Sequence, residues 1–371
     1  MTTATPSRPD APARARPNQL TAGRLSAAAV WGVSIGAFVL AALVFLLMAA
    51  ASGAAFNPVG AVIAGAALQV VAIWAVSRAV EGPRPAVDRV VTGLVTSAFL
   101  LALLPLASLL ATLFGNGLKR FDLLFFTNSM AGVVTSGGGG IHAIVGTLLI
   151  TLMATVVSVP VGLFTAVYLV EYGRGPLARA INFFVDVMTG IPSIVAGLFA
   201  YTLFMLAFGA LGLPLTDVRN GLAGTVALTV LMIPTVVRSS EEMIRLVPNE
   251  LREASYALGV PKWRTILKVV LPTAIAGIST GVVLAVSRVI GESAPLLIAA
   301  GFTLFMNYNP FQGPMMSLPV FVYRSYTQQV GAGAENMLNL AWTGALSLLL
   351  IVMLLNLVAR AIAYFFAPKG R

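Results

Sequence analysis

Residues 238–268 read RSSEEMIRLVPNELREASYALGVPKWRTILK and form a long charged segment between two apolar runs. A short helix within this charged segment is predicted by four residues at positions i, i+3, i+4 and i+7, namely Leu251, Ala254, Ser255 and Leu258. Asn249 is suited to cap the start of that helix, and Gly259 to follow its end. Because Pro261 blocks simple continuation, we expect a turn and then a second amphipathic stretch. The charged segment is therefore predicted to be a helix–turn–helix that docks in a groove of a partner protein.

The rest of the chain is strongly apolar. Hydrophobic residues make up 58% of it, charged residues only 10%, and the mean hydropathy is +0.93. A soluble domain carries about 25% charged residues, so the natural solvent of this chain is lipid. A helix that crosses a bilayer needs about 20 mostly apolar residues. We predict an all-α, polytopic integral membrane protein with about eight transmembrane helices, at residues 27–51, 59–77, 90–114, 142–170, 187–211, 221–237, 269–300 and 337–366.

The net charge of +10 is explained by the distribution of Lys and Arg about these spans. With the N-terminus placed in the cytoplasm, 18 of the 23 Lys and Arg lie on the cytoplasmic side, 4 lie outside, and Arg288 lies within a span. This asymmetry is the positive-inside pattern, and the opposite orientation would invert it. We therefore expect both termini in the cytoplasm, and the basic charge gives no indication of nucleic-acid binding.

Composition excludes several kinds of site. The chain has no Cys and a single His, so disulfides, thiolate metal sites and multi-histidine metal sites are excluded within it. That residue, His142, is expected at the membrane interface. No G-x-x-x-x-G-K-[ST] phosphate loop occurs, so a partner protein or an ion gradient must supply the energy for active transport. We expect no catalytic residue, metal or cofactor in this chain.

Arg288 and Glu292 are four residues apart in the apolar run at residues 269–300, which predicts that they share one helical face. A charge at the bilayer centre costs roughly 2.5–3.5 kcal/mol, so both side chains must face protein or water. Arg288 can present a fixed positive charge to an anion, with Glu292 paired to it at rest. The alternative is a structural pair that holds two helices together. Glu171 and Asp186, near the ends of spans, more simply form interfacial ion pairs.

The apolar run at residues 187–211 contains the sequence Gly190-Ile191-Pro192-Ser193 near its start. Proline removes a backbone hydrogen bond and kinks or breaks a helix. One interpretation is a bend that improves helix packing. The other is a broken helix at Gly190, Pro192 and Ser193, whose freed N–H groups face a transport pathway.

The charged segment resembles the EAA loop of ABC importer permeases, whose motif is E-A-A-x3-G-x9-I-x-L-P. The matching residues are Glu253, Ala254, Ser255, Gly259, Val269, Leu271 and Pro272. Ser255 replaces the third motif residue and Val269 replaces Ile, and both departures are mild. In the family this loop forms a coupling helix that sits in a cleft of the ATPase subunit. The resemblance therefore implies that these residues couple the chain to an ATPase.

Further stretches are similar to the PstA permease of the phosphate-specific transport system, a type I ABC importer. They are GGGIHAIVGT at residues 138–147, DVMTGIPSIVAGLFAY at 186–201, RVIGESAPLL at 288–297 and MMSLPVFVY at 315–323. The resemblance implies a six-helix permease core at residues 90–371, with the coupling loop at 238–268. It also places Arg288 and Glu292 in the translocation pathway.

The resemblance implies a function and partners as well. The chain would be the non-enzymatic permease subunit of an ATP-driven importer of inorganic phosphate in the cell membrane. Its partners would be a second, PstC-like permease, a PstB-like ATPase dimer that binds ATP and Mg, and an extracytoplasmic PstS-like phosphate-binding protein. A gradient-driven secondary transporter or channel, a permease for another oxyanion, and a membrane sensor are the alternatives.

The N-terminal part of the chain is not explained by this resemblance. Residues 27–89 add two transmembrane helices, which serve either as packing helices or as a docking surface for a regulator. Residues 1–26 are rich in Pro, Ala and Arg and cannot bury enough apolar surface to order themselves, so a solvated cytoplasmic tail is expected. A signal peptide is the competing interpretation, but the apolar run that follows exceeds the usual 7–15 residues, being about 25 residues long.

Overall fold

The computed structural model describes residues 25–329 and 331–366, without the side chains of residues 359 and 362–366. Of the predicted tail at residues 1–26, only Leu25 and Ser26 belong to the described part. Within these described ranges the fold is all-α and contains no strand. Eight helical runs in them are long and apolar enough to cross a membrane, which confirms the predicted fold class.

Most of the helices in the described residues are joined by short connections, and the longest connection precedes α13. They are α1 (Ala27–Ser52), α2 (Pro58–Val80), α3 (Pro83–Gly117), α4 (Leu123–Thr127), α5 (Ile141–Val167), α6 (Pro176–Thr189), α7 (Ser193–Leu211), α8 (Gly221–Arg245), α9 (Asn249–Ala257), α10 (Lys262–Thr265), α11 (Leu271–Val289), α12 (Ala294–Ala299), α13 (Leu318–Thr327) and α14 (Ala334–Phe366). The described residues include two π-helical turns, at Tyr168–Tyr172 after α5 and at Ile266–Val270 before α11.

The span predicted at residues 187–211 begins later than its apolar run. The amphipathic helix α6 ends at Thr189, and the membrane helix α7 begins at Ser193. Pro192 caps α7 and has no N–H to continue the hydrogen-bond ladder of α6. The apolar run is thus shared between two helices, and its length alone overestimates the span.

By their contacts the residues fall into two units, Met1–Ala111 and Thr112–Arg371, with the boundary inside α3. In the first unit, buried polar side chains join α1, α2 and α3. Gln69 Nε2 donates a hydrogen bond to Ser34 Oγ at 3.2 Å, and Ser97 Oγ donates one to Gln69 Oε1 at 3.2 Å. Such side chains link helices in lipid, where no water is present to satisfy them. The predicted division at residue 90 stays a prediction.

A carboxylate at the turn between α2 and α3 collects four hydrogen bonds. Arg89 donates to both oxygens of Glu81, from Nε at 2.5 Å and from Nη2 at 2.7 Å. Ser77 Oγ and the backbone N–H of Leu25 each donate to Glu81 at 2.6 Å. The pKa of Glu81 is lowered to about 2, and the hydrogen bond from Arg89 is the largest cause. Burial acts in the opposite direction and raises the pKa. Glu81 thereby fixes the entry to α1 against the following helices of this unit.

Replacing Glu81 with Gln is expected to destabilise the first unit by roughly 2 kcal/mol, because a charged acceptor of several hydrogen bonds is lost. The pKa of Glu81 in the folded state lies below its unfolded value of about 4.3, so the stabilisation by ionised Glu81 is complete above pH 4.3 or so. This stabilisation is lost as the pH falls toward the folded-state pKa. Thermal unfolding in detergent, followed by tryptophan fluorescence over that pH range, measures both effects. The matched control is Asp88→Asn, at an exposed neighbouring acid, and equal midpoints for the two variants would contradict this account.

In the second unit, α5 lies close against α8. A Cβ built on Gly162 of α5 would stand 2.7 Å from Cγ1 of Val236 on α8, which real side chains do not tolerate. Small residues at such positions allow membrane helices to approach closely. Around this contact the core is filled by large buried side chains from α5, α8, α12 and α14, among them Ile150, Leu228, Met232, Leu296 and Leu340.

Candidate functional site

The charged segment folds into the predicted helix–turn–helix. Helix α9 ends at Ala257, and Gly259 follows in the left-handed conformation with φ +75°. The N–H of Gly259 bonds to the carbonyl of Tyr256 at 2.9 Å, and that of Val260 bonds to the carbonyl of Ser255 at 3.2 Å. This pair of bonds is the Schellman motif, in which glycine is preferred because it has no Cβ. The prediction that Gly259 follows the helix end is confirmed.

The start of α9 differs from the prediction. Asn249 is the first residue of the helix, and Pro248 occupies the cap position without a side-chain hydrogen bond. The side-chain oxygen of Asn249 instead accepts from Arg252 Nη1 at 3.3 Å. The prediction of an Asn249 cap is wrong because Pro248, whose φ of −57° is fixed by its ring, already sets the entry angle.

Ser255 and Thr265 hold the two arms of the helix–turn–helix together. Their hydroxyl oxygens are 2.8 Å apart and buried. Leu271 and Pro272, the last residues of the motif, follow the π-helical turn Ile266–Val270 within one continuous helical run, to which Pro272 donates no N–H. Leu271 also packs against the buried cluster around Ile244. Among the motif residues, Ser255 is thus buried in the hinge, whereas Glu253, Ala254, Gly259 and Pro272 are exposed.

The charged segment exposes several large apolar side chains. Leu258 is 83% exposed and Trp263 55% exposed. We call these exposed apolar residues the docking surface and define it by Leu246, Leu251, Tyr256, Leu258 and Trp263. Exposed apolar residues clustered on a charged segment are typical of a protein interaction site. The geometry agrees with a segment that inserts into a groove of another protein.

The predicted ion pairs of Glu171 and Asp186 are present. Glu171 Oε1 lies 3.0 Å from Arg252 Nε, and Asp186 Oδ1 lies 2.5 Å from Arg238 Nη2. The first pair joins the turn after α5 to α9, and the second joins α6 to α8. Both pairs lie beside the charged segment, so they connect it to the membrane helices.

Arg288 and Glu292 do not share a helical face, and this prediction is wrong. Helix α11 ends at Val289, where the N–H of Glu292 closes a turn on the Val289 carbonyl at 3.1 Å. Arg288 is exposed in the last turn of α11, whereas Glu292 is partly buried in the break before α12. No hydrogen bond or ion pair joins their side chains within the described ranges. The apolar run at residues 269–300 is interrupted because Pro295 starts a new helix.

Of the two interpretations of Gly190, Pro192 and Ser193, the structure shows a break between α6 and α7, and it lies near the break that contains Glu292. A Cβ built on Gly197, in α7, would stand 2.6 Å from Cα of Pro295 in α12. The N-terminal parts of α7 and α12 therefore contact each other, and each helix follows a break in the chain. Sequence spacing could not reveal this meeting, since about 100 residues separate the two breaks.

His142 is buried within the protein, and its predicted place at the membrane interface stays a prediction. It is 2% exposed, and its ring lies edge-on to Phe321 of α13 at 5.6 Å between centroids. The residue lies in the first turn of α5, and the cover supplied by α13 comes from a distant part of the sequence. Length and hydropathy of the α5 run carry no signal for that contact.

Comparison with known proteins decides the family. The sequence profile of the family described as "Binding-protein-dependent transport system inner membrane component" matches residues 158–371. The chain is 43% identical over 282 residues to the Mycobacterium leprae (strain TN) "Phosphate transport system permease protein PstA", covering 75% of this chain and 88% of the relative. It is 40% identical over 255 residues to the Yersinia pestis protein of the same description, covering 68% of this chain and 81% of the relative. The chain belongs to the PstA permease family.

Membership of the PstA permease family confirms the resemblance found in the sequence. The chain is a transport component of an inner membrane, with several membrane-crossing helices, rather than an enzyme. A solved structure supports the same fold: a bacterial ABC transporter involved in the import of the acidic polysaccharide alginate aligns with a TM-score of 0.56 at 13% identity. The alignment covers 75% of this chain and 96% of the other. The roles of the individual site residues stay predictions.

Proposed function

We propose that this chain is the permease subunit of an ATP-driven importer of inorganic phosphate. The observation that carries the proposal is the docking surface, which is apolar, exposed and built around the EAA motif with Gly259 in a left-handed turn. Phosphate as the substrate is supported by PstA relatives that are described as phosphate transport permeases. A gradient-driven secondary transporter has no use for such a surface.

The proposal includes partners and an orientation. The docking surface would sit in a cleft of one subunit of an ATPase dimer, which holds the ATP and Mg that this chain does not bind. A second permease would complete the pathway, and an extracytoplasmic phosphate-binding protein would deliver the substrate from the other side. The excess of Lys and Arg on the side of the charged segment supports cytoplasmic N- and C-termini.

Arg288 is our candidate for the residue that meets the anion in the pathway. Its guanidinium is exposed at the end of α11, and no acid of the described part of the chain neutralises it. A guanidinium suits phosphate oxygens because it offers several N–H donors in a planar fork. Glu292, in the adjoining break, would reject anions while it is ionised and so would act as a gate. A Glu292→Gln variant with normal transport and normal ATPase coupling would remove the gating role.

Arg288→Gln is expected to lower ATP-dependent phosphate uptake by about ten-fold or more, because charged hydrogen bonds of roughly 1.5–3 kcal/mol are lost. Arg288→Lys keeps the charge but loses the fork, so intermediate uptake is expected. Uptake of labelled phosphate into liposomes that hold the assembled complex measures this, with excess sulfate as a competitor to test the rival oxyanion. Arg174→Gln, at an exposed arginine without an ion pair among the described residues, is the matched control. Equal uptake by Arg288→Gln and by the control would exclude Arg288 from the pathway.

A further inference from the structure

One arginine of the charged segment joins its own helix to two other elements of the fold. Arg252, on α9, pairs through Nε with Glu171 in the π-helical turn after α5, at 3.0 Å. Its Nη2 donates to the carbonyl of Ile244 at 3.0 Å, and its Nη1 donates to that of Val247 at 2.5 Å, at the end of α8. A cation at this position also complements the negative end of the α8 dipole. The guanidinium therefore links α9 to the turn after α5 and to the end of α8.

The pair between Glu171 and Arg252 is poorly accessible to water. Their side chains are 5% and 12% exposed, respectively. Removing either partner leaves an unpaired charge in a poorly solvated place, which is costly. This pair differs from Arg238 and Asp186, where the acid side chain is largely exposed. The pair of Glu171 and Arg252 thus connects α9 stably to the turn after α5, whereas exposed ion pairs contribute little to stability.

A second residue of the charged segment holds the same turn. Lys262, at the start of α10, donates from Nζ to the backbone carbonyl of Glu171. Its ammonium also lies over the ring of Tyr172, 4.8 Å from the centroid, in a cation–π contact. Both arms of the helix–turn–helix therefore hold the π-helical turn Tyr168–Tyr172. Such π-helical turns occur frequently at functional sites.

The opposite end of α5 is held just as closely by the segment that leads into α13. The backbone N–H of Leu318 donates to Thr147 Oγ1 at 2.6 Å, and both atoms are buried. Gly146 packs so closely on the carbonyl of Met316 that a Cβ there would stand 2.0 Å from the oxygen. Helix α5 is therefore clamped at both ends, to the charged segment and to residues 316–318.

We propose that Glu171 and Arg252 form the joint through which the charged segment moves α5 during transport, so that movement at the ATPase reaches residues 316–318 across the membrane. Both are positioning residues, since neither lies on the docking surface. This inference rests on the proposed function and adds the route by which motion leaves the charged segment. Helix α5 serves as the lever because it is continuous from Ile141 to Val167 and fixed at each end.

The test compares Glu171→Gln, Arg252→Gln and the double variant in the complex reconstituted in liposomes. The readout is phosphate imported per ATP hydrolysed, normalised to assembled complex, which is measured by co-purification of the ATPase. Each single variant is expected to assemble and hydrolyse ATP but to import about ten-fold less phosphate per ATP. Because the two residues act as one joint, the double variant is expected to be no worse than either single one. Arg179→Gln, at an exposed arginine of α6 without an ion pair in the described residues, is the matched control.

Three results distinguish the possibilities. A normal import ratio with less assembled complex would make the pair merely structural and would overturn the inference. Should Arg252→Gln fail to assemble, the test rests on Glu171→Gln, which removes the ion pair but leaves the bonds of Arg252 to the carbonyls of Ile244 and Val247 in place. A normal ratio in that variant would likewise overturn the inference. Absence of ATP-dependent phosphate import by the wild type would instead refute the proposed function.

Discussion

Replacing Gly259 with Val is expected to lower phosphate-stimulated ATP hydrolysis by the assembled complex about ten-fold or more. Gly259 has φ +75°, a conformation that costs a non-glycine residue roughly 1–2 kcal/mol and a β-branched one more. The Schellman turn therefore opens, and Leu258 and Trp263 no longer lie together on the docking surface. Stimulated hydrolysis is measured with the complex in liposomes, beside co-purification of the ATPase.

A second substitution at Gly259 distinguishes a conformational cause of the lost hydrolysis from simple steric crowding. No atom of this unit lies within 4 Å of a Cβ built on Gly259, so a side chain meets open space in the chain itself. Asn tolerates the left-handed conformation far better than Val. Gly259→Asn is therefore expected to retain most of the stimulated hydrolysis. Equal loss in the Asn and Val variants would contradict the conformational explanation.

Replacing Gly146 with Ala is expected to destabilise the second unit by roughly 3 kcal/mol or more, because overpacking forces backbone to move. The added Cβ would stand 2.0 Å from the carbonyl oxygen of Met316, and a backbone atom cannot turn aside as a flexible side chain can. The loss is measured as a lower midpoint of thermal unfolding in detergent and as reduced assembly with the ATPase.

Gly209, in α7, is the matched control for this change. It is also a helical glycine, but a Cβ there meets nothing within 4 Å. Because Ala is a better helix former than Gly, Gly209→Ala is expected to leave stability unchanged or to raise it by about 0.5–1 kcal/mol. A Gly146→Ala protein as stable as the Gly209→Ala protein would show that α5 and the residues before α13 are not in close contact.

Length and hydropathy predict most of this fold because a membrane helix needs only a sufficient apolar run. Each of the eight predicted spans has a counterpart among the described helices. The same signal overestimates the runs at residues 187–211 and 269–300, since an apolar run looks identical whether one helix or two occupy it. The prolines at positions 192 and 295 carried the missing information, and only the first of them was interpreted as a break.

Local sequence motifs predicted the backbone of the charged segment better than they predicted which side chains contact each other. Gly259 follows its helix as expected because the Schellman turn depends on neighbouring backbone atoms alone. The partners of Arg252 and His142, in contrast, come from distant helices and leave no periodic trace in the sequence. The sequence also could not show that Arg288 and Glu292 do not pair. Side chains four residues apart contact each other only if the helix continues between them.

The most direct test of the central claim is ATP hydrolysis by this chain assembled with a second permease, the ATPase dimer and the phosphate-binding protein in liposomes. An ATP-coupled phosphate permease predicts hydrolysis that rises when phosphate is added on the side of the binding protein. It also predicts that this rise disappears in Gly259→Val while the complex stays assembled. Phosphate flux through the purified chain alone, indifferent to ATP and to the residue at position 259, would contradict the account and indicate a gradient-driven transporter.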